Sequence, residues 1–403
     1  LRHPSPDSTH PLIQTMAYGR VFFYVQHLLG IGHLQRALRI AAELPHHGVA
    51  VTLVSGGMPI EVSIPEGVDW VQLPPMRAAD ARFSDLVDVG GRVVDEAWRR
   101  VRLGRLMAAF EEAKPQLLIT ESFPFGRRQM RFELLPLLRA AHRQTSRPMV
   151  AASVRDVLQS GRKPGRVAEA AAWAERYYDR VLVHGDPDVI RFEETFAPAP
   201  KLASRIHYTG YVGPPMAELS PFGAGEVIVS VGGGAVGDRL LETALAARPL
   251  SRARSMPWRL LVGHSLNPDA LRSLRRDLGV GVRVESSRAD FPALLANARL
   301  SISQGGYNTL MDILQARARA VVVPFAGDGE TEQTFRASRF AEMGLFSMLR
   351  ESELNPGALA HAVDTALMRP RPDTARINMQ GAADSAALLL SLIHISEPTR
   401  PTR

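Results

Sequence analysis

Two short apolar runs are joined by the stretch Ser303-Gln304-Gly305-Gly306-Tyr307-Asn308-Thr309-Leu310-Met311-Asp312. The run before it is typical of a buried strand. The pair Gly305-Gly306 predicts a sharp turn at which backbone can approach a ligand closely. Asn308 or Thr309 is then expected to cap a helix. Because free N–H groups and the helix dipole both favour negative charge, a turn of this kind predicts an anion site.

Thr309 and Asp312 lie one helical turn apart and therefore share a face of that helix. Asp312 could accept hydrogen bonds from a ribose diol while Thr309 and the backbone hold phosphate. The same two residues are equally consistent with a capping pair that binds nothing. The rest of the chain favours the nucleotide interpretation.

Composition excludes several classes of function. At 403 residues the chain is long enough for two domains, and without cysteine it has no disulfide, thiolate nucleophile or cysteine-ligated metal. The net charge of +7 favours anionic partners such as nucleotides or phospholipid surfaces. No apolar run is long enough to predict a membrane-spanning helix, and no nucleic-acid-binding module is recognised.

Both ends are set aside as non-native or disordered. Residues 1–15 are rich in proline, serine and histidine, and Met16 directly precedes the first strand, so translation is expected to start there. The tail 391–403 resembles translated sequencing adapter. The natural C-terminus, with the last helix of the fold, is then expected to be missing.

Strand, glycine turn and helix alternate along the chain, which indicates parallel sheets covered on both faces. Residues 213–225 are rich in glycine and proline and are interpreted as a linker. The predicted class is α/β, with two doubly wound Rossmann-like domains at 16–212 and 226–390 that face each other across a cleft. Ligands are expected at the carboxyl ends of the strands. The predicted strands are 20–26, 49–55, 116–120, 149–153, 180–184, 226–231, 259–262, 282–285, 299–303 and 320–323, and the main helices are 34–44, 86–113, 167–178 and 238–247.

A second glycine turn, Gly232-Gly233-Gly234-Ala235-Val236-Gly237, follows a predicted strand and precedes a helix. It fits the dinucleotide pattern, but the next strand ends in Gly263-His264-Ser265 without the acidic residue that NAD binding needs. The turn therefore predicts a diphosphate cradle rather than a dehydrogenase. We interpret the segment from Gly263 as a strand exit near the nucleotide base, because it lacks the last glycine of a nucleophile elbow.

Several polar residues follow predicted strands and are candidates for the cleft. His33 ends the turn Gly30-Ile31-Gly32 and is either a general base or a helix cap. Glu121 is either a cleft residue or a loop glutamate in solvent. Arg155 and Asp156 are either cleft residues or an internal ion pair.

Two further segments carry polar signals. Glu332 and Gln333 open a helix and suit sugar hydroxyls, although acidic first-turn residues are also ordinary partners of the helix dipole. Asp186-Pro187-Asp188 is interpreted as a structural turn rather than a metal site, and no metal is predicted.

Basic and apolar residues interleave in 98–107 and 123–143. This pattern predicts either an N-domain face that rests on anionic lipid or solvated helices with snorkelling arginines.

Three segments resemble GT-B glycosyltransferases in the neighbourhood of family 28: GIGHLQR at 30–36, VSVGGGAVGD at 229–238, and SQGGYNTLMDIL through VVVPFAGDGETEQTFRA at 303–337. The likeness to the lipid-intermediate N-acetylglucosaminyltransferases of peptidoglycan synthesis is distant. It is stronger to uncharacterised bacterial proteins predicted to be glycosyltransferases.

The resemblance implies inverting, metal-independent and cofactor-free transfer from a nucleotide-diphosphate sugar, expected to be a UDP-sugar, to an acceptor hydroxyl. A glycan or lipid-linked acceptor is inferred from the basic and apolar face of the N-domain. The protein is expected to be cytoplasmic, and its basic N-domain face could place it peripherally at the inner face of the plasma membrane. Asp312 stands where the family usually has glutamate. The implied donor-binding residues are Gly232, Gly233, Gly234, Gly305, Gly306, Asn308, Thr309, Asp312, Glu332 and Gln333; His33 and Glu121 are the catalytic candidates, and Arg155 and Asp156 the acceptor-binding ones.

Other functions on the same fold stay open at this point. A nucleotide-sugar epimerase or hydrolase would act without an acceptor. A binding protein without catalysis is favoured by the short Asp312 side chain and by the absence of an obvious catalytic carboxylate pair. A dehydrogenase is the most distant alternative.

Overall fold

A computed structural model describes residues 19–28, 30–79, 85–159, 163–216, 222–231, 237–263 and 278–396. Within these residues the chain forms two parallel sheets, which confirms the predicted α/β class with two doubly wound domains. The domain and linker boundaries stay a prediction. Within the same residues, no helix combines the length and apolar character needed to span a bilayer.

The first sheet has the order β3-β2-β1-β6-β7-β8-β9, and all its pairings are parallel. A short antiparallel pair, β4 and β5, lies outside it. The strands are β1 Gly19–Val25, β2 Val49–Ser55, β3 Val68–Gln72, β4 Arg77–Ala78, β5 Leu86–Val87, β6 Leu117–Glu121, β7 Met149–Arg155, β8 Arg180–His184 and β9 Ile206–Tyr208. The helices that cover this sheet are α1 Gly32–Glu43, α2 Glu96–Ala113, α3 Arg131–Arg143 and α4 Pro164–Tyr177.

Strand β1 shows why the sheet is covered on both faces. Successive side chains of a strand point to opposite sides. Phe22 and Tyr24 accordingly enter the core formed with α2, α3 and α4, while Val21, Phe23 and Val25 enter the core formed with α1. All five side chains are buried.

The second sheet has the order β12-β11-β10-β13-β14-β15 and is also parallel. Its strands are β10 Val227–Ser230, β11 Trp258–Val262, β12 Val282–Ser286, β13 Leu300–Gln304, β14 Ala320–Val323 and β15 Ser347–Met348. The helices after them are α5 Asp238–Ala247, α6 Phe291–Asn297, α7 Tyr307–Gln315, α8 Glu332–Glu342, α9 Pro356–Met368 and α10 Gly381–Ser396.

The last helix, α10, packs on the first domain rather than the second. Leu389, Leu392 and Ile393 are buried in the core that contains α1 and β1. The chain returns through an antiparallel bridge between Val212 and Gln380. Residues 381–390 of this helix were assigned to the second domain, and residues 391–396 were set aside with the tail.

Two local predictions differ from the structure. The helix expected over 86–113 begins only at Glu96, because the Asp95 side chain accepts a hydrogen bond from Trp98 N at 2.7 Å and caps it there. Leu86–Val87 instead pairs with Arg77–Ala78. The helix after Gly305-Gly306 begins at Tyr307, with Gly306 at its cap and no capping side chain, so the predicted cap by Asn308 or Thr309 is wrong.

Candidate active site

The register of the first sheet gathers polar side chains at its carboxyl edge. Glu121 lies beside Ser153, and Arg155 lies beside His184. Because strand side chains alternate, these four residues point to the sheet face that carries α1. The N-terminus of α1 brings His33 to the same edge.

His33 and Glu121, the two predicted catalytic residues, are in contact. His33 Nδ1 lies 2.9 Å from Glu121 Oε1, and Glu121 is fully buried. Arg36, one turn along α1, also pairs with Glu121 Oε1. On the other side of the imidazole, Arg155 Nη2 lies 2.9 Å from His33 Nε2.

Burial and the surrounding positive charges keep the His33 ring neutral. Burial lowers the pKa of His33 well below its usual value, and the positive charges of Arg127, Arg155 and Arg36 lower it further. Arg127 shares this positive environment, since burial and the charge of Arg155 lower its own pKa to about 10.

Across the cleft, α8 supplies a carboxylate and an arginine to the same cluster. Glu332 pairs with Arg155 and, at 3.0 Å, with Arg336 Nη2. Burial raises the pKa of Glu332, but the charges of Arg155 and Arg336 outweigh burial and lower it to about 2. Arg336 in turn forms a two-pronged pair with Asp156, at 2.7 Å for the shortest contact. The predicted acceptor residues Arg155 and Asp156 therefore both bind groups of the second domain.

Tyr307, the first residue of α7, lies at the centre of these arginines. The guanidinium carbons of Arg36, Arg155 and Arg336 are 5.4, 5.8 and 5.0 Å from its ring centre. Its hydroxyl accepts a hydrogen bond from Val212 N and donates one to His184 O, each at 3.2 Å. Aromatic faces attract guanidinium groups, so the ring helps to hold three like charges together.

The remaining predicted donor residues of α7 face α1. Asp312 is buried with Oδ1 3.7 Å from Arg39 Nη2, and Asn308 donates to Gln35 Oε1 at 2.6 Å. Burial raises the pKa of Asp312 to about 6, although Arg39 lowers it in part. Thr309 lies in the first turn of the helix. A ribose role for Asp312 stays a prediction.

A cavity of about 180 Å³ opens at the carboxyl edge of the second sheet. The start of α5, the end of β13 and the segment after β14 line it, through residues that include Asp238, Gln304 and Phe325. Gly305 and Gly306 follow Gln304 directly, and a Cβ on Gly305 would lie 3.1 Å from Pro324 Cβ. Gly232, Gly233, Gly234 and His264 lie outside the described residues. The cavity therefore borders the Gly305-Gly306 turn through Gln304, and a donor diphosphate site there stays a prediction.

Gln333 and the Asp-Pro-Asp turn have structural partners. Gln333 Oε1 accepts from Phe325 N at 3.2 Å. Asp186 accepts from Asp188 N at 3.0 Å and from Asn378 N at 2.9 Å, as the turn interpretation predicted. Within the described part of the chain, no group of three or more acidic or histidine side chains is placed to hold a metal ion.

Several residues of this cluster were not predicted as site residues: Arg36, Arg127, Ser153, His184, Tyr307 and Arg336. Arg36 lies one helical turn after His33, and that spacing was a usable signal. Arg127 reaches the site from the loop after β6. Ser153 and His184 reach it through strand register, and Tyr307 and Arg336 through domain contact, neither of which is visible in a single sequence.

The architecture and the site together define a GT-B glycosyltransferase fold. The chain superimposes on the calicheamicin glycosyltransferase CalG4 with a TM-score of 0.60 at 17% identity, covering 94% of this chain and 98% of that one. The kitacinnamycin glycosyltransferase gives 0.61 at 16% identity, with 94% and 100% covered. MurG of Acinetobacter baumannii gives 0.53 at 16% identity, with 94% and 96% covered.

Residues 228–389 match the model of the glycosyltransferase family 28 C-terminal domain. The predicted resemblance to family 28 is therefore confirmed over these residues. A relative from Brucella anthropi, the UDP-N-acetylglucosamine–N-acetylmuramyl-(pentapeptide) pyrophosphoryl-undecaprenol N-acetylglucosamine transferase, is 30% identical over 186 residues. That match covers 42% of this chain and 49% of the relative, so the chain spans about half the length of such relatives.

Proposed function

We propose that this protein is a hexosyltransferase that moves a sugar from a nucleotide-diphosphate donor to an acceptor hydroxyl. The observation that carries the proposal is the contact between His33 and Glu121 at the carboxyl edge of the first sheet, joined through Arg155 to Glu332 of the family 28 domain. A neutral imidazole backed by a carboxylate is a general base, and it lies where the two domains meet.

In this mechanism His33 Nε2 accepts the proton of the acceptor hydroxyl, which attacks the anomeric carbon of the donor sugar. Glu121 holds the ring and stabilises the imidazolium that forms. The departing nucleotide diphosphate gains negative charge, which the arginines and the helix N-termini stabilise. Arg155 donates to Nε2 in the structure, so Arg155 must withdraw before His33 can act.

The donor is proposed to be a UDP-sugar held at the cavity beside Gln304, with Asp312, Glu332 and Gln333 contributing. The family 28 domain and the UDP-sugar named in the relative support this donor class. Glu332 would exchange its pairing with Arg155 for sugar hydroxyls.

A lipid-linked or glycan acceptor is proposed for the first domain, by analogy with the pyrophosphoryl-undecaprenol acceptor that names the relative. The apolar residues of the predicted lipid face turn inward, since Leu134, Leu137 and Leu138 of α3 are buried in the core. Exposed arginines such as Arg100 and Arg139 would then contact anionic lipid at the inner face of the plasma membrane.

The first experiment is thermal unfolding of the purified protein with UDP, GDP, dTDP, ADP or NAD. A nucleotide present at 100 times its dissociation constant should stabilise the fold by about 2.7 kcal/mol. UDP release from UDP-N-acetylglucosamine is then measured with and without a polyprenyl-diphosphate-linked sugar. Release that requires the acceptor supports transfer, and release without it indicates a hydrolase.

Variants test the site itself. His33→Gln, Asp312→Ala and Gln333→Ala should each reduce turnover, whereas Asp373→Ala, at an exposed residue, should not. Normal turnover in His33→Gln would refute the proposed base. Normal turnover in both donor-site variants would refute the donor assignment.

A further inference from the structure

The hydrogen bonds at Glu121 continue inward, away from the cleft, through three residues without an assigned role. Ser153 Oγ contacts Glu121 Oε2. His184 Nε2 lies 2.8 Å from the same Ser153 Oγ, and His184 Nδ1 lies 2.8 Å from Thr209 Oγ1. All four residues are at most 2% exposed. This hydrogen-bonded chain of side chains runs from the cleft to the interior of the first domain.

Arg155 fixes the direction of these hydrogen bonds. A guanidinium group can only donate, so His33 Nε2 must be the acceptor of its 2.9 Å contact. A neutral His33 therefore carries its proton on Nδ1 and donates it to Glu121 Oε1. The 3.2 Å approach of Arg36 Nη2 to Nδ1 is then not a hydrogen bond, because Arg36 donates to Glu121 instead.

The same reasoning orders the inner part of the chain. Ser153 Oγ donates its one proton to Oε2 of the Glu121 carboxylate. His184 Nε2 must then donate to the serine oxygen. The Thr209 hydroxyl lies 3.4 Å from Gly210 O but only 2.8 Å from the unprotonated Nδ1, and it gives its proton to the nearer Nδ1. Burial lowers the pKa of His184 well below its usual value, which fits a ring with a single proton. In this hydrogen-bonded chain, every donor points toward Glu121.

We infer that Ser153 and His184 are positioning residues, which keep the Glu121 carboxylate oriented so that His33 presents Nε2 to the substrate. Partners behind a functional histidine commonly fix its tautomer and ring orientation in this way. The inference rests on the proposed function for its catalytic consequence. The tautomers can be tested without any activity.

The structure requires opposite tautomers at the two histidines, with the proton on Nδ1 in His33 and on Nε2 in His184. Imidazole ¹⁵N NMR of the ligand-free protein at pH 7 measures this directly, with the two rings assigned by His33→Gln and His184→Gln. Ser153→Ala removes the acceptor of the His184 proton and should move that proton toward Nδ1. A His33 ring protonated on Nε2, or equal tautomers at both rings, would overturn the inference.

The kinetic test uses a matched control on the same sheet. Ser55 is a buried serine on β2 whose hydroxyl has no hydrogen-bond partner. Ser153→Ala should reduce kcat tenfold or more with the donor KM within twofold, whereas Ser55→Ala should leave both within twofold. Equal kcat values in the two variants would contradict a positioning role.

Thr209→Val gives a second, nearly volume-conserving test if Ser153→Ala fails to fold. It removes the donor to His184 Nδ1 and should lower kcat less than Ser153→Ala, because it acts one step further from Glu121. An unchanged kcat together with an unchanged His184 tautomer would contradict the proposed role of this hydrogen-bonded chain. If no transfer is detected in the wild-type protein, the proposed function fails, while the NMR result still decides the tautomers.

Discussion

Arg336 on α8 and Asp156 after β7 form a fully buried, two-pronged ion pair that joins the two domains. The residues are 180 positions apart in the chain. Asp156 lies next to Arg155, which contacts His33, so the pair that joins the domains also borders the candidate base.

Removing one member of this pair should be costly. Arg336→Met leaves the Asp156 carboxylate buried without its partner, and such changes typically cost about 3–5 kcal/mol. Arg339→Met, one turn along α8, removes a partly exposed pair with Glu194 of the first domain and should cost less than about 1 kcal/mol. Urea unfolding of both variants measures the difference. Similar losses would show that burial does not set the strength of the domain contact.

Asp312 should make stability depend on pH. Its pKa is raised from 3.8 in the unfolded chain to about 6 in the folded protein, so the folded state binds the proton more tightly. The stability gained from this proton is fully present below pH 3.8 and is lost as the pH rises through about 6. The loss is at most about 3 kcal/mol at 1.36 kcal/mol per unit of pKa shift.

Asp312→Asn removes this titration. The free energy of unfolding of the variant should therefore rise relative to that of the wild type as the pH increases from 4 to 8. The lost attraction to Arg39 reduces the gain. Asp373→Asn is the control, because Asp373 is exposed and pairs with Arg317 only at 3.9 Å. A difference between Asp312→Asn and wild type that is constant with pH would show that Asp312 does not titrate in this range.

Much of the fold follows from local sequence. The runs 49–55, 180–184 and 320–323 were predicted with the bounds of β2, β8 and β14, because apolar, β-branched segments between helices have few alternatives. The start of α2 was misplaced, since the capping signal at Asp95 was read as helix interior. No strand was predicted at the position of β3. Its alternation of apolar and polar residues is weak because it lies at the sheet edge.

The site was less accessible from sequence than the fold. His33 and Glu121 were singled out because each follows a strand or glycine turn at a carboxyl edge, where parallel strands bring such residues together. Ser153 is an ordinary serine in an apolar strand, and only register places it beside Glu121. Arg336 depends on how two domains pack, which a local pattern does not contain.

Tyr307→Phe should weaken the domain contact while keeping the ring that the arginines surround. The hydroxyl satisfies Val212 N and His184 O, both buried. Leaving buried polar groups unpaired costs about 1–3 kcal/mol. The free energy of unfolding should fall by that amount, and a change below about 0.5 kcal/mol would mean that other partners replace the hydroxyl.

His33 should not produce an acidic limb near pH 6.5 in the rate profile. The pH dependence of kcat/KM reports groups of the free enzyme. Burial and three nearby arginines lower the pKa of His33 well below 6.5, so the ring loses its proton at lower pH and stays neutral from pH 6.5 upward. Asp312, with a pKa of about 6, can add a limb of its own. The profile is therefore measured in Asp312→Asn. A remaining limb near pH 6.5 would show that the arginines do not hold His33 neutral when the cleft is free to open.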